Sequence, residues 1–211
     1  MSLAARRASG AASAADDGRK RYFDPRFNAT AVRVFPGEHY VSDDASEMIV
    51  TILGSCVSAC IRDPATGYAG MNHFMLPESE TGEWGAASAA MRYGNYAMEV
   101  LINDLMRRGG QRDRLEIKLF GGGSIGRSNS TVGQQNAEFV VDYLKAEGLA
   151  IVAADLGGQS ARRIHYFPGT GKVKRLALQS LDSTRLRAEE SAYTKTLAAT
   201  EAASDDIELF D

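Results

Sequence analysis

The sequence predicts an α+β fold, and three observations carry that prediction. Short apolar runs closed by Gly, Pro and Asp recur from Ala31 to Leu178. Only two stretches, beginning near Ala89 and Gln134, carry helical periodicity. Strands and helices do not alternate in the regular way a doubly wound parallel sheet requires.

Taken in order, Ala31-Val32-Arg33-Val34-Phe35 reads as a strand stopped by Pro36-Gly37, and His39-Tyr40-Val41 begins a second one. Met48–Leu53 is an apolar strand entering Gly54. Val57–Ile61 is another, ended by the turn residues Asp63-Pro64-Ala65-Thr66-Gly67. Tyr68–Leu76 follows, closed by Pro77, and Glu78–Ser88 reads as a loop. From Ala89 to Arg108 the residues Tyr93, Tyr96, Ala97, Val100, Leu101 and Leu105 mark a helix that Gly109-Gly110 ends. Leu115–Phe120 is a strand running into Gly121-Gly122-Gly123. Gln134–Ala146 is the second helix, with Gly148 at its C-terminal cap. Ile151–Ala154, Arg163–Phe167 and Lys172–Leu178 complete the strands, the last two joined through Pro168-Gly169-Thr170-Gly171. Residues 1–20, small and aperiodic, are expected to form a disordered tail. Residues 21–182 are expected to form a single domain, and 183–211 an Ala/Glu-rich C-terminal tail.

Composition narrows the function classes. The 211 residues are 44% hydrophobic and 24% charged, as in a soluble globular protein. A net charge of −3, from 24 basic and 27 acidic side chains, argues against nucleic acid as a main partner, since phosphate binding needs concentrated positive charge. No run of 18 apolar residues exists, so membrane insertion is not expected. Cys56 and Cys60 form no CxxC pair, and His39, His73 and His165 are scattered without ligand spacing, so neither a metal nor a cofactor is expected. Two thiols without an apolar signal segment fit a reducing cytoplasm.

Candidate chemistry centres on Thr51-Ile52-Leu53-Gly54-Ser55-Cys56 and Gly70-Met71-Asn72-His73-Phe74-Met75-Leu76-Pro77. A cysteine in a Gly-Ser turn after a strand is placed as an accessible nucleophile, and the turn offers backbone N–H groups to an oxyanion. A strand, a turn and a neighbouring strand would bring His73 to the same sheet edge as a base. The bland reading stands beside it: a free cysteine is often a small buried hydrophobe, and a strand histidine is often a satisfied core residue. Cys60, inside an apolar run, reads as core. Gly121-Gly122-Gly123-Ser124-Ile125-Gly126 matches GxGxxG, but a dinucleotide site needs a helix opening at that loop, and Arg127–Gly133 is polar and loop-like. The glycines read instead as a tight turn with close backbone approach, and as one wall of a substrate cleft.

Leu53-Gly54-Ser55-Cys56-Val57, Cys60-Ile61-Arg62-Asp63, Gly70–Pro77, Arg92-Tyr93-Gly94-Asn95-Tyr96-Ala97-Met98-Glu99, Lys118–Gly123 and Asn136-Ala137 together resemble the chemoreceptor glutamine deamidases of bacterial chemotaxis, the CheD family. The resemblance covers about Tyr22 to Leu178. It implies two packed mixed β-sheets flanked by helices, similar to the cytotoxic-necrotizing-factor deamidases. It implies Cys56 as nucleophile, His73 as its base and Thr51 as the third member, with Asn72 or a backbone carbonyl as an alternative partner for the imidazole. Gly54, Ser55, Asn72, Gly121 and Gly122 are the expected oxyanion and cleft residues. The expected substrates are methyl-accepting chemotaxis receptors, and a CheC-type phosphatase is an expected partner. A non-catalytic chemotaxis adaptor using the same surface is the alternative function. A thiol amidase or protease on small substrates is a third, which would need a closed pocket.

Overall fold

The computed structural model describes residues 18–76, 89–125, 131–178, 188, 190–193, 195 and 196. The Glu78–Ser88 loop, most of Arg127–Gly133, residues 1–17 and most of the C-terminal tail lie outside the described residues.

Among the described residues, ten strands form two five-stranded sheets. The first has the order β1 (Arg21–Asp24), β2 (Ala29–Arg33), β4 (Glu47–Leu53), β9 (Arg162–Phe167), β10 (Lys172–Ala177). The second runs β3 (His39–Ser42), β6 (Ala69–Asn72), β5 (Val57–Arg62), β7 (Glu116–Gly121), β8 (Ile151–Leu156). Each sheet is mixed: β2 pairs parallel with β4 and β7 parallel with β8, while the other pairs are antiparallel. The expected α+β architecture of two mixed sheets is thus the one observed. The strand the sequence pattern missed is β1, an edge strand whose two central side chains, Tyr22 and Phe23, are exposed.

Alternation along the strands sets the layers. From β4, Ile49 and Leu53 point into the space between the sheets, where they meet Cys56, Cys60, Met71, Ile164 and Tyr166. Met48 and Val50 point the other way, toward Ala29 and Ala31. From β5, Val57, Ala59 and Ile61 face the helices. The helix α1 (Ala89–Arg107) buries Met98, Leu101, Ile102 and Leu105, a single stripe at helical spacing. In α2 (Val132–Ala146) the buried set is Gly133, Asn136, Phe139, Val140 and Leu144. Both helices cover the outer face of the second sheet, giving a helix–sheet–sheet order. α2 also links the parallel strands β7 and β8, the one βαβ unit among the described residues. No helix of the described residues is long and apolar enough to cross a membrane. Among the same residues no group of His, Cys, Asp or Glu is placed to hold a metal ion.

Candidate active site

Strand register puts the site at one end of β5 and β6. Cys60 pairs with Met71 and Ile61 with Gly70, and the same antiparallel register continues to a bridge between Val57 and Phe74. Cys56 is therefore opposite Met75 and His73 opposite Ser58. Cys56 and His73 become diagonal neighbours on one face, the face that looks toward the first sheet. The sequence pattern anticipated a sheet edge; instead β6 and β5 are interior strands, so the pair sits at their ends in the middle of the sheet.

His73 is held from three sides. Its N–H donates to the Glu38 carbonyl at 2.9 Å, and its own carbonyl accepts from the Gly37 N–H at 2.8 Å. Its ring Nδ1 lies 2.7 Å from Thr51 Oγ1, which is 2.8 Å from the Val34 carbonyl oxygen. A carbonyl only accepts, so the single hydroxyl proton of Thr51 is committed to Val34, and Nδ1 must carry the proton it shares with Thr51. The neutral ring therefore keeps its lone pair on Nε2, which is buried without a hydrogen-bond partner among the described residues. Thr51 reaches this place because it shares a face of β4 with Ile49 and Leu53, looking across at the second sheet. Burial, with Arg33 adding to it, depresses the imidazole to about 3, so the ring is neutral at physiological pH.

Asn72, the alternative partner for the imidazole, faces the helices. Its Oδ1 accepts from the Ala59 N–H at 2.8 Å, and its Nδ2 donates to the Ala97 carbonyl at 3.0 Å. It ties β5 to α1. One residue in sequence from His73 means the opposite face of a strand, which is the physical reason the two do not meet.

Around Cys56 the Gly54–Cys56 turn makes a cradle of N–H groups, filled by a carboxylate. The N–H groups of Gly54, Ser55 and Cys56 point at Glu190 Oε1 at 3.1, 3.0 and 3.4 Å. Ser55 Oγ donates to Glu190 Oε2 at 2.9 Å. A Cβ on Gly54 would meet Ile125 Cδ1 and would lie 2.7 Å from Glu190 Oε1, so a side chain there displaces one or both of these groups. The Cys56 thiol is fully buried, and burial, then the adjacent Glu190 carboxylate and its hydrogen bond, push it well above its usual value. The thiol faces Glu190 and makes no hydrogen bond to His73 in this state, so the thiolate–imidazolium pair expected of a primed nucleophile is not formed. Cys60 is also fully buried, in the core between the sheets.

The three glycines stand behind the cradle. The Gly122 N–H donates to the Cys56 carbonyl and the Gly123 N–H to the Gly54 carbonyl, both at 2.7 Å. Gly121 has φ +110, and a Cβ on it would collide with the Cys56 carbonyl oxygen. Gly122 packs against Gly133 and Ala137 of α2. The expectation of close backbone approach is met by this chain's own turn: Gly121 and Gly122 support the cysteine loop from behind. Asn136, whose role the sequence pattern left unread, clamps both loops: its Nδ2 donates to the Ser55 carbonyl at 2.9 Å and its Oδ1 accepts from the Leu76 N–H at 2.8 Å. A pocket of about 160 Å³ opens on the histidine side, lined by Gly37, His73, Tyr93, Tyr96 and Val100 among others.

The family model described as CheD chemotactic sensory transduction matches residues 75–176, a span that begins after Thr51, Cys56 and His73. A relative from Rhodopseudomonas palustris (strain BisA53), named "Probable chemoreceptor glutamine deamidase CheD", is 54% identical over 194 residues, covering 92% of this chain and 91% of its own. One of the same name from Herminiimonas arsenicoxydans is 48% identical, covering 90% and 93%. Among solved structures, the Bacillus licheniformis hypothetical protein YfiH aligns at 11% identity with a TM-score of 0.36, covering 58% of this chain and 50% of that one.

Proposed function

The chain belongs to the CheD family, and from that premise we propose that it is a cytoplasmic protein-glutamine deamidase, converting glutamine side chains of chemotaxis receptors to glutamate through a thioester on Cys56. The observation that carries the mechanism is the pairing of a three-N–H cradle at Cys56 with a histidine whose Nδ1 is engaged by Thr51.

A substrate carboxamide enters with its carbonyl oxygen in the cradle. His73 Nε2 takes the proton from Cys56, and the thiolate attacks the amide carbon. The developing oxyanion accepts from the N–H groups of Gly54, Ser55 and Cys56, a stabilisation of about 3–4 kcal/mol per donor in comparable sites. His73 returns the proton to the departing nitrogen, which leaves as ammonia. The thioester is hydrolysed by water that His73 deprotonates, giving a glutamate carboxylate and regenerating the thiol. The pocket beside His73 supplies room for that water. A neutral carboxamide in the cradle, unlike the carboxylate of Glu190, adds no negative charge beside the sulfur and so lets the thiolate form. A CheC-type phosphatase that docks on this face would compete with the receptor.

The test is mass spectrometry of receptor incubated with enzyme, reading the gain of about 1 Da that amide hydrolysis gives, for Cys56→Ala and Cys60→Ala in parallel. Cys56→Ala is expected to lower the rate by at least about 10³-fold, the scale of losing a nucleophile. Cys60→Ala, in the core and off the cradle, is expected to stay within about 3-fold. Turnover by Cys56→Ala near that of the wild type would end the thioester mechanism and leave the adaptor reading.

A further inference from the structure

We propose that Glu190 is an intramolecular product mimic: its carboxylate takes the place that the substrate side-chain carbonyl must take, so the C-terminal segment and the substrate compete for one cradle. This rests on the deamidase reading of the site. The product of that reaction is a glutamate side chain, and Glu190 carries the same side chain on the same N–H donors, from 134 to 136 residues away in sequence. It receives four hydrogen bonds from the cysteine turn, one of them from Ser55 Oγ to the second carboxylate oxygen.

The segment is shaped for this. Its described residues are helical, and Tyr193 follows Glu190 by three positions, on the same face. The Tyr193 hydroxyl meets the Tyr93 hydroxyl, and its side chain lies against Gly37, where an added Cβ would come within 3.1 Å of the hydroxyl oxygen and 3.2 Å of the ring. Gly37 is the residue whose N–H holds the His73 carbonyl. Glu190 thus covers the cysteine loop and Tyr193 the histidine loop, one turn apart. Glu190 itself is 7% exposed, and beneath it Cys56 is 0% exposed.

Chemistry makes Glu190 an occupant and not a substrate. A carboxylate is a poor electrophile, and its charge sits against the sulfur that would have to ionise. The Glu190→Gln substitution would present a carboxamide in the reactive position. Attack by Cys56 would expel ammonia and form the thioester, and water would then release the thiol and restore the carboxylate of Glu190, all within one chain.

Two full-length variants test this. Glu190→Gln is followed by peptide mass at position 190. The expected result is a gain of about 1 Da at a rate independent of protein concentration, and none in the Glu190→Gln/Cys56→Ser double variant. Glu190→Ala is followed by iodoacetamide alkylation of Cys56, read by peptide mass so that Cys60 does not interfere. If the segment occupies the cradle at least about nine-tenths of the time, alkylation accelerates about tenfold or more over wild type. An unchanged alkylation rate overturns the proposal whatever the enzyme does to receptors. Persistence of the introduced carboxamide in a Glu190→Gln protein that still deamidates receptor also overturns it, and leaves the deamidase reading standing. Faster alkylation with no deamidation of either the receptor or the introduced carboxamide supports occupancy of the cradle and counts against the deamidase reading instead.

Discussion

Strand β5 meets a carboxylate at each end. Beyond Arg62, Asp63 accepts the Ala65 N–H at 2.8 Å and the Gln111 N–H at 2.9 Å, and Arg114 closes on it through Nε at 3.2 Å and Nη2 at 2.6 Å. Before Val57, the cradle of Gly54, Ser55 and Cys56 holds Glu190. Both sites saturate an anion with backbone donors. At the first, the carboxylate belongs to the β5–β6 turn and brings a guanidinium from the next strand's approach. The hydrogen bond from Arg114 keeps Asp63 ionised down to about 2. At the second, the donors are neutral N–H groups and a hydroxyl, and the carboxylate arrives from the C-terminal segment. An anion with its own cation, joining the β5–β6 turn to the segment that enters β7, is a structural tie. Neutral donors gathered beside a thiol suit a carbonyl oxygen as well as a carboxylate, and on the proposal above their occupant exchanges with substrate.

The difference is open to attack first at the structural end. Asp63→Ala leaves Arg114 without its partner and strips two backbone N–H groups of theirs. The Arg114 side chain reaches water, so the cost is at the low end of what breaking a buried pair costs, about 3 kcal/mol, which lowers Tm by roughly 10 °C in a protein of this size. Cys56 alkylation, measured well below Tm, is expected to be unchanged. A smaller thermal loss from Asp63→Ala than from Glu190→Ala would reverse the roles assigned to the two ends.

The cysteine–histidine end is expected to respond the other way, in rate and not in stability. Thr51→Val removes the acceptor for His73 Nδ1–H and frees the ring to adopt the wrong tautomer. The expected fall in kcat is about 10²-fold, the lower end of what a positioned general base contributes. Stability should change by only about 1 kcal/mol, the net worth of one hydrogen bond. Thr51→Ser keeps the hydroxyl and is expected to recover most of the rate. Equal rates for the valine and serine variants would show that the hydroxyl does not position the ring.

How much of this contrast could be read from the residues depends on how local each contact is. The Cys56–His73 relation was legible because β5, the Asp63–Gly67 turn and β6 are consecutive, so spacing alone nearly sets the register. Nearly all strands were legible for a similar reason: Gly, Pro and Asp end them. Thr51 was reached only through the family resemblance, because β4 lies in the other sheet and its approach to His73 is a packing outcome that no spacing encodes. The glycine turn was read with the right property, close backbone approach, but the neighbour it approaches is the chain's own cysteine loop. Asn136 carried no local signal, since a polar residue at one helix position does not reveal which two loops it bridges. Glu190 was the least legible, because its segment looks like an ordinary acidic tail and its partners lie 134 to 136 residues away.

Acid separates the two ends by the pH at which each fails. His73 is depressed to about 3 by burial, below its ordinary value of 6.5, so the unfolded chain binds its proton first. The contribution of the neutral ring to stability is complete above pH 6.5 and is lost progressively as the pH falls toward 3. Asp63, depressed to about 2 from 3.8, contributes fully above 3.8 and is lost only below that. Between pH 6.5 and 5, therefore, the histidine end weakens while the aspartate end does not. One proton at about 1.36 kcal/mol per unit gives a loss of about 2 kcal/mol over that interval. His39 and His165 are also lowered by burial and act in the same direction, so the wild-type slope alone is not diagnostic. The comparison is with His73→Gln, which cannot take up the proton. Urea midpoints of the two proteins at about pH 6.5 and about pH 5 are expected to show a larger fall in the wild type, by roughly the share of one buried histidine. Parallel slopes would mean that His73 titrates near its ordinary value in the folded protein. The imidazole would then take up a proton in an appreciable fraction of molecules near neutral pH, and burial would not be what keeps the ring a neutral base.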